Sequence, residues 1–429
     1  MLVSFRVRNF RSFAEEQTLS LVAGSGAAKE SRFSFPSDNT TTPYLLRSSC
    51  LFGPNGAGKS SLVMAMAFFK EFVISSAKDG QEGEKIDVHP FFFDEHWRGQ
   101  PTEFEVIFIH GDALYQYGFV VDEKRVLSEW MFTNPHDPDT KFRTLFQREY
   151  DAAEGTYAWK ISKTHIRGEK EVWKTTTRDN ALFLSTSVQL NAEAFKTPFD
   201  WIQNFLRIIE SPQRLSPGFT AKQCLDAGWK DRILRFLRSV DVNIEDIYVK
   251  VTDPIDVEKL VFTHDAEDAR DKIIKKLKNM KRIDVELSHK GKQGDLVSLA
   301  LRDESDGSQV IFSIAGPWLD VLDNGYTLVV DELHNSLHPH AFRFLVDLFH
   351  NPIINNKRAQ LIFTSHETSI MEKSFMHRDQ ICLVEKNNHE QSQLIPLSEY
   401  KEGNIDSFRK SYLDGRYGAV PMLKDFIDG

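Results

Sequence analysis

The chain has 429 residues, 41% hydrophobic and 27% charged, with a formal net charge of −9. That balance is ordinary for a soluble globular protein of two or three compact units, and an acidic chain offers no global field to nucleic acid or anionic membrane. No run approaches the roughly 18 apolar residues of a membrane span, there is no signal-peptide run, and three scattered cysteines (Cys50, Cys224, Cys382) exclude a disulfide framework and lack metal-ligand spacing. A cytoplasmic protein is expected.

The first elements alternate like strands: Leu2, Phe5 and Val7, then Thr18 to Val22, with Arg8 to Phe13 as the turn between antiparallel partners. Residues 24–43, rich in Gly, Ser, Thr and Pro, read as a mobile loop. Tyr44 to Phe52 is an apolar run ending in a strand. The loop that follows, Gly53-Pro54-Asn55-Gly56-Ala57-Gly58-Lys59-Ser60, matches G-x-x-x-x-G-K-[ST], and Ser61 opens a strong helix former reaching Phe69. Strand, loop and helix in that order are the context a P-loop needs. Its glycines let backbone N–H groups cradle phosphate oxygens at a helix N-terminus. Lys59 is then expected to reach the β- and γ-phosphates of a nucleoside triphosphate, and the Ser60 hydroxyl to ligate Mg²⁺.

Beyond that helix, Phe91 to Phe93 begins a β-rich stretch. Strands at 103–109, 114–121 and 125–132 form an antiparallel meander with turns at His110-Gly-Asp and Asp122-Glu. Residues 180–240 turn helical, with Phe199 to Ile209 at helix-like spacing. The run from Asp271 to Arg282, which holds Lys272 and four further lysines, is densely basic, with Lys290 and Lys292 beyond it. It is either a grip for nucleic-acid phosphates or a solvated lysine-rich face. Residues 288–295 read as a loop. There is no internal repeat, and no heptad pattern persists.

Tyr326 to Glu332 is an apolar strand run ending in two acids. Asp331 at its tip suits Mg²⁺, and Glu332 is placed to orient or deprotonate an attacking water. Asn335-Ser336-Leu337-His338-Pro339 follows at once. A further strand, Gln360 to Ser365, ends in His366, which reads either as a γ-phosphate sensor or as a surface histidine.

The order P-loop, Asp-Glu strand, Ser-Leu-His-Pro turn and strand-terminal histidine resembles the ABC-type ATPase clan in its non-transporter RecF, SMC and OLD-nuclease branch. Asn9-Phe-Arg-Ser12 is similar to that branch's N-terminal turn. Glu304 to Gln309 resembles its degenerate signature, with Ser305 and Gly307 at the Ser-x-Gly heart and the leading leucine and second glycine absent. The chain also resembles, nearly end to end, the stand-alone AAA family ATPases of bacterial abortive-infection operons, through Phe183 to Ser185, Trp201 to Ile208 and Gly415 to Pro421.

The resemblance implies an α/β fold: a P-loop ABC-ATPase head with an antiparallel β-subdomain and a helical/β insertion between Walker A and signature. It divides the chain into 1–83 (hairpin and Walker A), 84–300 (insertion) and 301–429 (signature, Walker B, D-loop and switch histidine). It implies ATP and Mg²⁺ as ligands, and a homodimer or higher oligomer in which Ser305 and Gly307 touch the partner's nucleotide. Asn335 to His338 would be the D-loop, His366 the switch histidine, Arg11 a nucleotide-approaching base and Gln189 a Q-loop candidate. About 60 residues follow His366, too few for a nuclease domain. The resemblance therefore points to a defence ATPase controlling a separate effector encoded nearby; the alternative is a RecF-like ATPase acting directly on DNA.

Overall fold

The computed structural model describes residues 1–37, 39, 42–135, 142–252, 282–400 and 408–420. The basic run from 271 to 281 and Pro421 lie outside them. The chain divides into two compact units: Met1–Ser211, Val321–His334 and Leu345–Gly429 form one, Pro212–Asp320 and Asn335–Phe344 the other.

In the first unit, β1 (Leu2–Arg8) and β2 (Gln17–Ser20) form the expected antiparallel pair, Phe5 opposite Leu19. Residues 24–43 are not simply a loop. They hold a 3₁₀ turn at Ala27–Lys29 and β3 (Ser34–Pro36), which pairs with β4 (Tyr44–Leu46) because Phe33 and Phe35 find buried sites. Next, β5 (Ser48–Phe52) is buried at all five positions and runs through the glycine loop into α1 (Lys59–Ser75). That helix buries Leu62, Val63, Ala65, Met66, Phe69 and Val73 on one broad face. Phe69 stacks on Phe119 at 5.5 Å and meets Phe5 edge-on at 5.8 Å, so α1 lies against an antiparallel sheet.

That sheet comprises β6 (Thr102–His110), β7 (Ala113–Val121), β8 (Val126–Pro135), β9 (Arg143–Asp151) and β10 (Thr156–Ile161), and runs in the order β10-β9-β8-β7-β6-β1-β2. The expected three-strand meander is therefore the middle of a longer one.

The helix expected over Phe199–Ile209 is corrected. A helix Glu193–Asp200 passes through a π-helical turn, Trp201–Phe205, into a strand, β11 (Leu206–Ile209). Four residues are too few for periodicity to separate helix from strand; pairing with a distant strand decides the matter.

In the second unit, β12 (Asp246–Thr252), β13 (Arg282–Lys290) and β14 (Leu296–Ala300) form an antiparallel three-stranded sheet. The stretch 288–295, expected as a loop, is the end of β13 and the turn of a hairpin, closed by Gly291 N–H to the Asp295 carbonyl and by Gly294 at φ 84°. The edge strand β14 leaves Leu296, Val297 and Leu299 exposed.

The first unit's other sheet is completed by β15 (Thr327–Val330), β16 (Gln360–Ser365), β17 (Ile381–Lys386) and β18 (Ser392–Pro396), in the order β11-β15-β16-β5-β17-β18. The first five of those run parallel and only β18 is antiparallel. The fold is thus α/β, as expected, with an antiparallel β-subdomain. The carboxyl ends of β5, β15 and β16 deliver Gly53, Asp331 and His366, the end of a parallel sheet where ligands bind.

Candidate nucleotide site

The P-loop is shaped by close approaches. A Cβ on Gly53 would stand 2.2 Å from the Val384 carbonyl oxygen, and one on Gly58 would stand 2.2 Å from Ser392 Oγ and 2.6 Å from Ser12 Oγ. Gly58 also has φ 108°, which an L side chain rarely adopts. Ser392 pins the loop: its Oγ donates to the Ala57 carbonyl at 2.6 Å and its N–H to the Ser12 carbonyl at 2.8 Å. Pro54 and Ser60 are half-buried, while Asn55 and Gly56 face solvent. Ser61 is half-buried on the first turn, its N–H bonded to the Gly58 carbonyl at 3.0 Å. The Lys59 ammonium donates to the carbonyls of Gly53 (2.8 Å) and Pro54 (3.0 Å). Burial pulls its pKa below the ordinary lysine value, while Glu332 and Asp331 oppose that shift.

Thr364 on β16 organises the acids. Its Oγ1 donates to Asp331 Oδ1 at 2.6 Å and accepts the Glu332 N–H at 2.7 Å. Asp331 is buried, its N–H bonded to the Ile209 carbonyl at 3.0 Å, so β11 also fixes the tip. Glu332 is half-buried at φ 50°, a left-handed conformation unusual for this residue. His366 is exposed, and its Nε2 lies 2.9 Å from His334 Nε2, so one ring nitrogen donates and the other accepts. The pKa of His334 is pushed down to about 4, mainly by burial and then by His366, with Glu367 opposing and Lys59 adding. Sequence reasoning passed over both Thr364 and His334, although His334 stands two residues after Glu332 in Asp-Glu-Leu-His.

Arg11 is exposed at φ 50°, its N–H bonded to the His89 carbonyl at 2.8 Å. It borders an open cavity of about 480 Å³ with Met64 and Glu71 of α1 and with Glu210. Gln189 is exposed at the C-terminal end of a helix, Phe183–Gln189. Gln213 sits on a 3₁₀ turn, Pro212–Arg214, that follows β11.

In the second unit, Ser305 caps the helix Asp306–Asn324, its Oγ accepting the Ser308 N–H at 3.1 Å. A Cβ on Gly307 would stand 3.0 Å from the Ser336 carbonyl oxygen, so Gly307 packs directly on that turn. Gln213 Nε2 donates to Ser336 Oγ at 3.1 Å. Ser336 has φ 62°; Asn335 and Leu337 are half-buried; His338 is exposed, its Nδ1 accepting the His340 N–H at 3.2 Å.

The glycine close approaches and the N–H groups of the first turn of α1 fit a polyphosphate. Ser60 and Asp331, a hydroxyl and a carboxylate, fit Mg²⁺, which is held through few protein ligands together with phosphate oxygens and water. Among the described residues no group of three or more His, Cys, Asp or Glu forms a metal cluster, and no helix is long and apolar enough to cross a membrane.

Among solved structures the chain is similar to the SMC head domain from Thermotoga maritima, at 12% identity and a TM-score of 0.40 over 92% of this chain and 98% of that one. It is similar to an Smc head domain bound to the C-terminal domain of ScpA from Pyrococcus furiosus, at 11% identity and a TM-score of 0.38, covering 92% and 95%. The recombination mediator RecF with ATP matches at 13% identity and a TM-score of 0.33, covering 92% and 97%. No curated protein matches the chain. The family described as "AAA domain, putative AbiEii toxin, Type IV TA system" matches residues 48–372, well over half of the sequence, and the chain belongs to that family.

Proposed function

We propose that this chain binds and hydrolyses ATP as an ABC-type switch, that two copies complete each other's sites, and that the switch controls a separate effector in bacterial anti-phage defence. The observation that carries the ATPase reading is that Lys59, Asp331 and Glu332 all follow the carboxyl ends of β5 and β15, strands of one parallel sheet. The family's description, which names an abortive-infection toxin and a type IV toxin–antitoxin system, supports the defence setting.

In this reading the P-loop amides and Lys59 hold the phosphates. Glu332, turned by its left-handed backbone and held by Thr364, orients the attacking water and takes its proton. Ser60 and Asp331 would hold Mg²⁺, which when bound neutralises charge on the phosphate oxygens. His366 senses the γ-phosphate, Ser305, Gly307 and the 335–338 turn serve the partner's nucleotide, and Gln213, on the turn that follows β11, joins Gln189 as a Q-loop candidate.

Lys59→Ala should abolish ATP binding, measured by calorimetry. Glu332→Gln should bind ATP normally and hydrolyse it on the order of 10²–10⁴ times more slowly. Equal loss of affinity in both variants would remove Glu332 from its role. For the effector, the gene expressed alone and with its genomic neighbours is challenged with phage; full protection by this chain alone refutes a separate effector.

A further inference from the structure

Two adjacent phenylalanines in the segment ahead of β6 have no role in the site as described. Phe92 is 68% exposed and Phe93 64% exposed. Rings left in water forgo the free energy of burial, so an ordered exposed pair invites a ligand. The pair is ordered. Asn9, fully buried, accepts the Phe91 N–H through Oδ1 at 3.0 Å and donates through Nδ2 to the carbonyls of Trp97 (2.8 Å) and Gln100 (2.7 Å). Phe91 itself is buried and packs against Phe93 at 5.8 Å. Asn9 and Arg11 both sit at positive φ, 53° and 50°, so the turn that staples this segment is held in a conformation that costs free energy.

The pair is also coupled to the P-loop. The Lys386 ammonium lies 5.8 Å from the centre of the Phe93 ring. Lys386 stands directly opposite Ser392 in the β17–β18 pairing, and Ser392 is the residue whose hydroxyl grips the Ala57 carbonyl. From the other direction, Arg11 bonds the His89 carbonyl, just ahead of the aromatic run. The guanidinium of Arg98 covers one face of Phe92 at 4.3 Å, and the two exposed rings meet edge to face at 6.4 Å and 79°. An L-shaped corner of two rings, flanked by cations and joined to a phosphate-binding loop by a single strand pairing, suits a flat aromatic group carried by a polyphosphate.

We propose that Phe93, with Phe92 as its side wall, is the stacking platform for the purine base of the nucleotide whose phosphates the P-loop holds. The inference rests on the nucleotide reading above and adds to it the recognition of the base. Stacking uses the π-face that every purine has, so the platform contributes affinity without choosing between adenine and guanine.

The experiment compares full-length wild type with the Phe92→Ala/Phe93→Ala double variant, titrated with Mg-ATP, Mg-GTP and inorganic tripolyphosphate. The variant should bind both nucleotides on the order of 10- to 100-fold more weakly, with tripolyphosphate affinity unchanged. Phe93→Trp should bind ATP at least as tightly as wild type. Because both rings are exposed, the variant's melting temperature should match the wild type's. Equal weakening for tripolyphosphate, or ATP affinity kept within about twofold, would overturn the platform and leave the rings as a contact for another protein. Wild type that binds tripolyphosphate but gains nothing from the base would do the same. Wild type that binds neither ligand sinks the nucleotide reading and this inference with it.

Discussion

Thr364 shows how much one hydroxyl decides at the residue scale. It donates to Asp331 and accepts from the Glu332 backbone, and so fixes both acids from a neighbouring strand. A second buried polar cluster has a titration consequence. Gln380 is oriented by the His377 N–H on its Oε1, so its amide nitrogen donates to Ser48 Oγ and faces His350 Nε2 at 3.1 Å. His350 Nε2 must then accept, which requires a neutral ring; burial, with Arg32 and Arg47 adding, pushes its pKa down to about 3. Its unfolded-state value is near 6.5, so the unfolded chain takes up the proton first. Stability from the neutral ring is complete above pH 6.5 and is lost as pH falls towards 3. By pH 4.5 that loss should be about 3 kcal/mol. His350→Gln should flatten that part of the stability curve relative to wild type, as read by urea denaturation from pH 7 to 4.5.

At the scale of elements, a buried ion pair anchors the helix Phe183–Gln189 to the antiparallel sheet. Glu129 and Arg148 lie 3.0 Å apart, both fully buried. Glu129 also accepts the N–H groups of Phe183 (2.7 Å) and Leu184 (3.0 Å) and the Tyr117 hydroxyl (3.0 Å). Burial holds the Glu129 carboxyl above its ordinary pKa even though Arg148 and those amides oppose it. Arg148→Met should therefore cost about 3–5 kcal/mol of stability, because an uncompensated carboxylate stays buried. Adding Glu129→Gln should cost less than the sum of the two single changes, which chemical denaturation would measure as a coupling.

Elements also mark the limit of what the sequence makes legible. The P-loop, the meander and the Asp-Glu strand announce themselves because each is local: a fixed spacing, a period of two, an apolar run ending in charge. β11 does not, since four residues have no period and its partner β15 lies far along the chain. The same holds for His334, whose meaning appears only when β16 brings His366 within 2.9 Å.

For the whole molecule, Lys59, Asp331, Glu332 and His366 belong to one compact unit, and Ser305, Gly307 and the turn from Asn335 to His338 belong to the other. If copies exchange these groups, neither half-site needs to be intact in the same chain. Mixing Lys59→Ala protein with Ser305→Arg protein in equal amounts should restore roughly a quarter of wild-type ATPase activity, since half of random dimers are mixed and each keeps one good site. Specific activity that stays constant down to high dilution, with no dimer detected under ATP, would refute exchange.

The edge strand β14 has a practical consequence for anyone handling this chain. Leu296-Val-Ser-Leu-Ala300 carries no charge and no proline, and Leu296 and Val297 are more than half exposed. Natural sheets usually blunt such an edge with lysine or proline, because its open backbone groups template pairing with another molecule. Here nothing in the strand does so, and concentrated samples should cloud from this edge first. Val297→Lys should slow the rise of light scattering on concentration while leaving ATP turnover as it was, and a scattering curve that does not move would locate the sticky surface elsewhere.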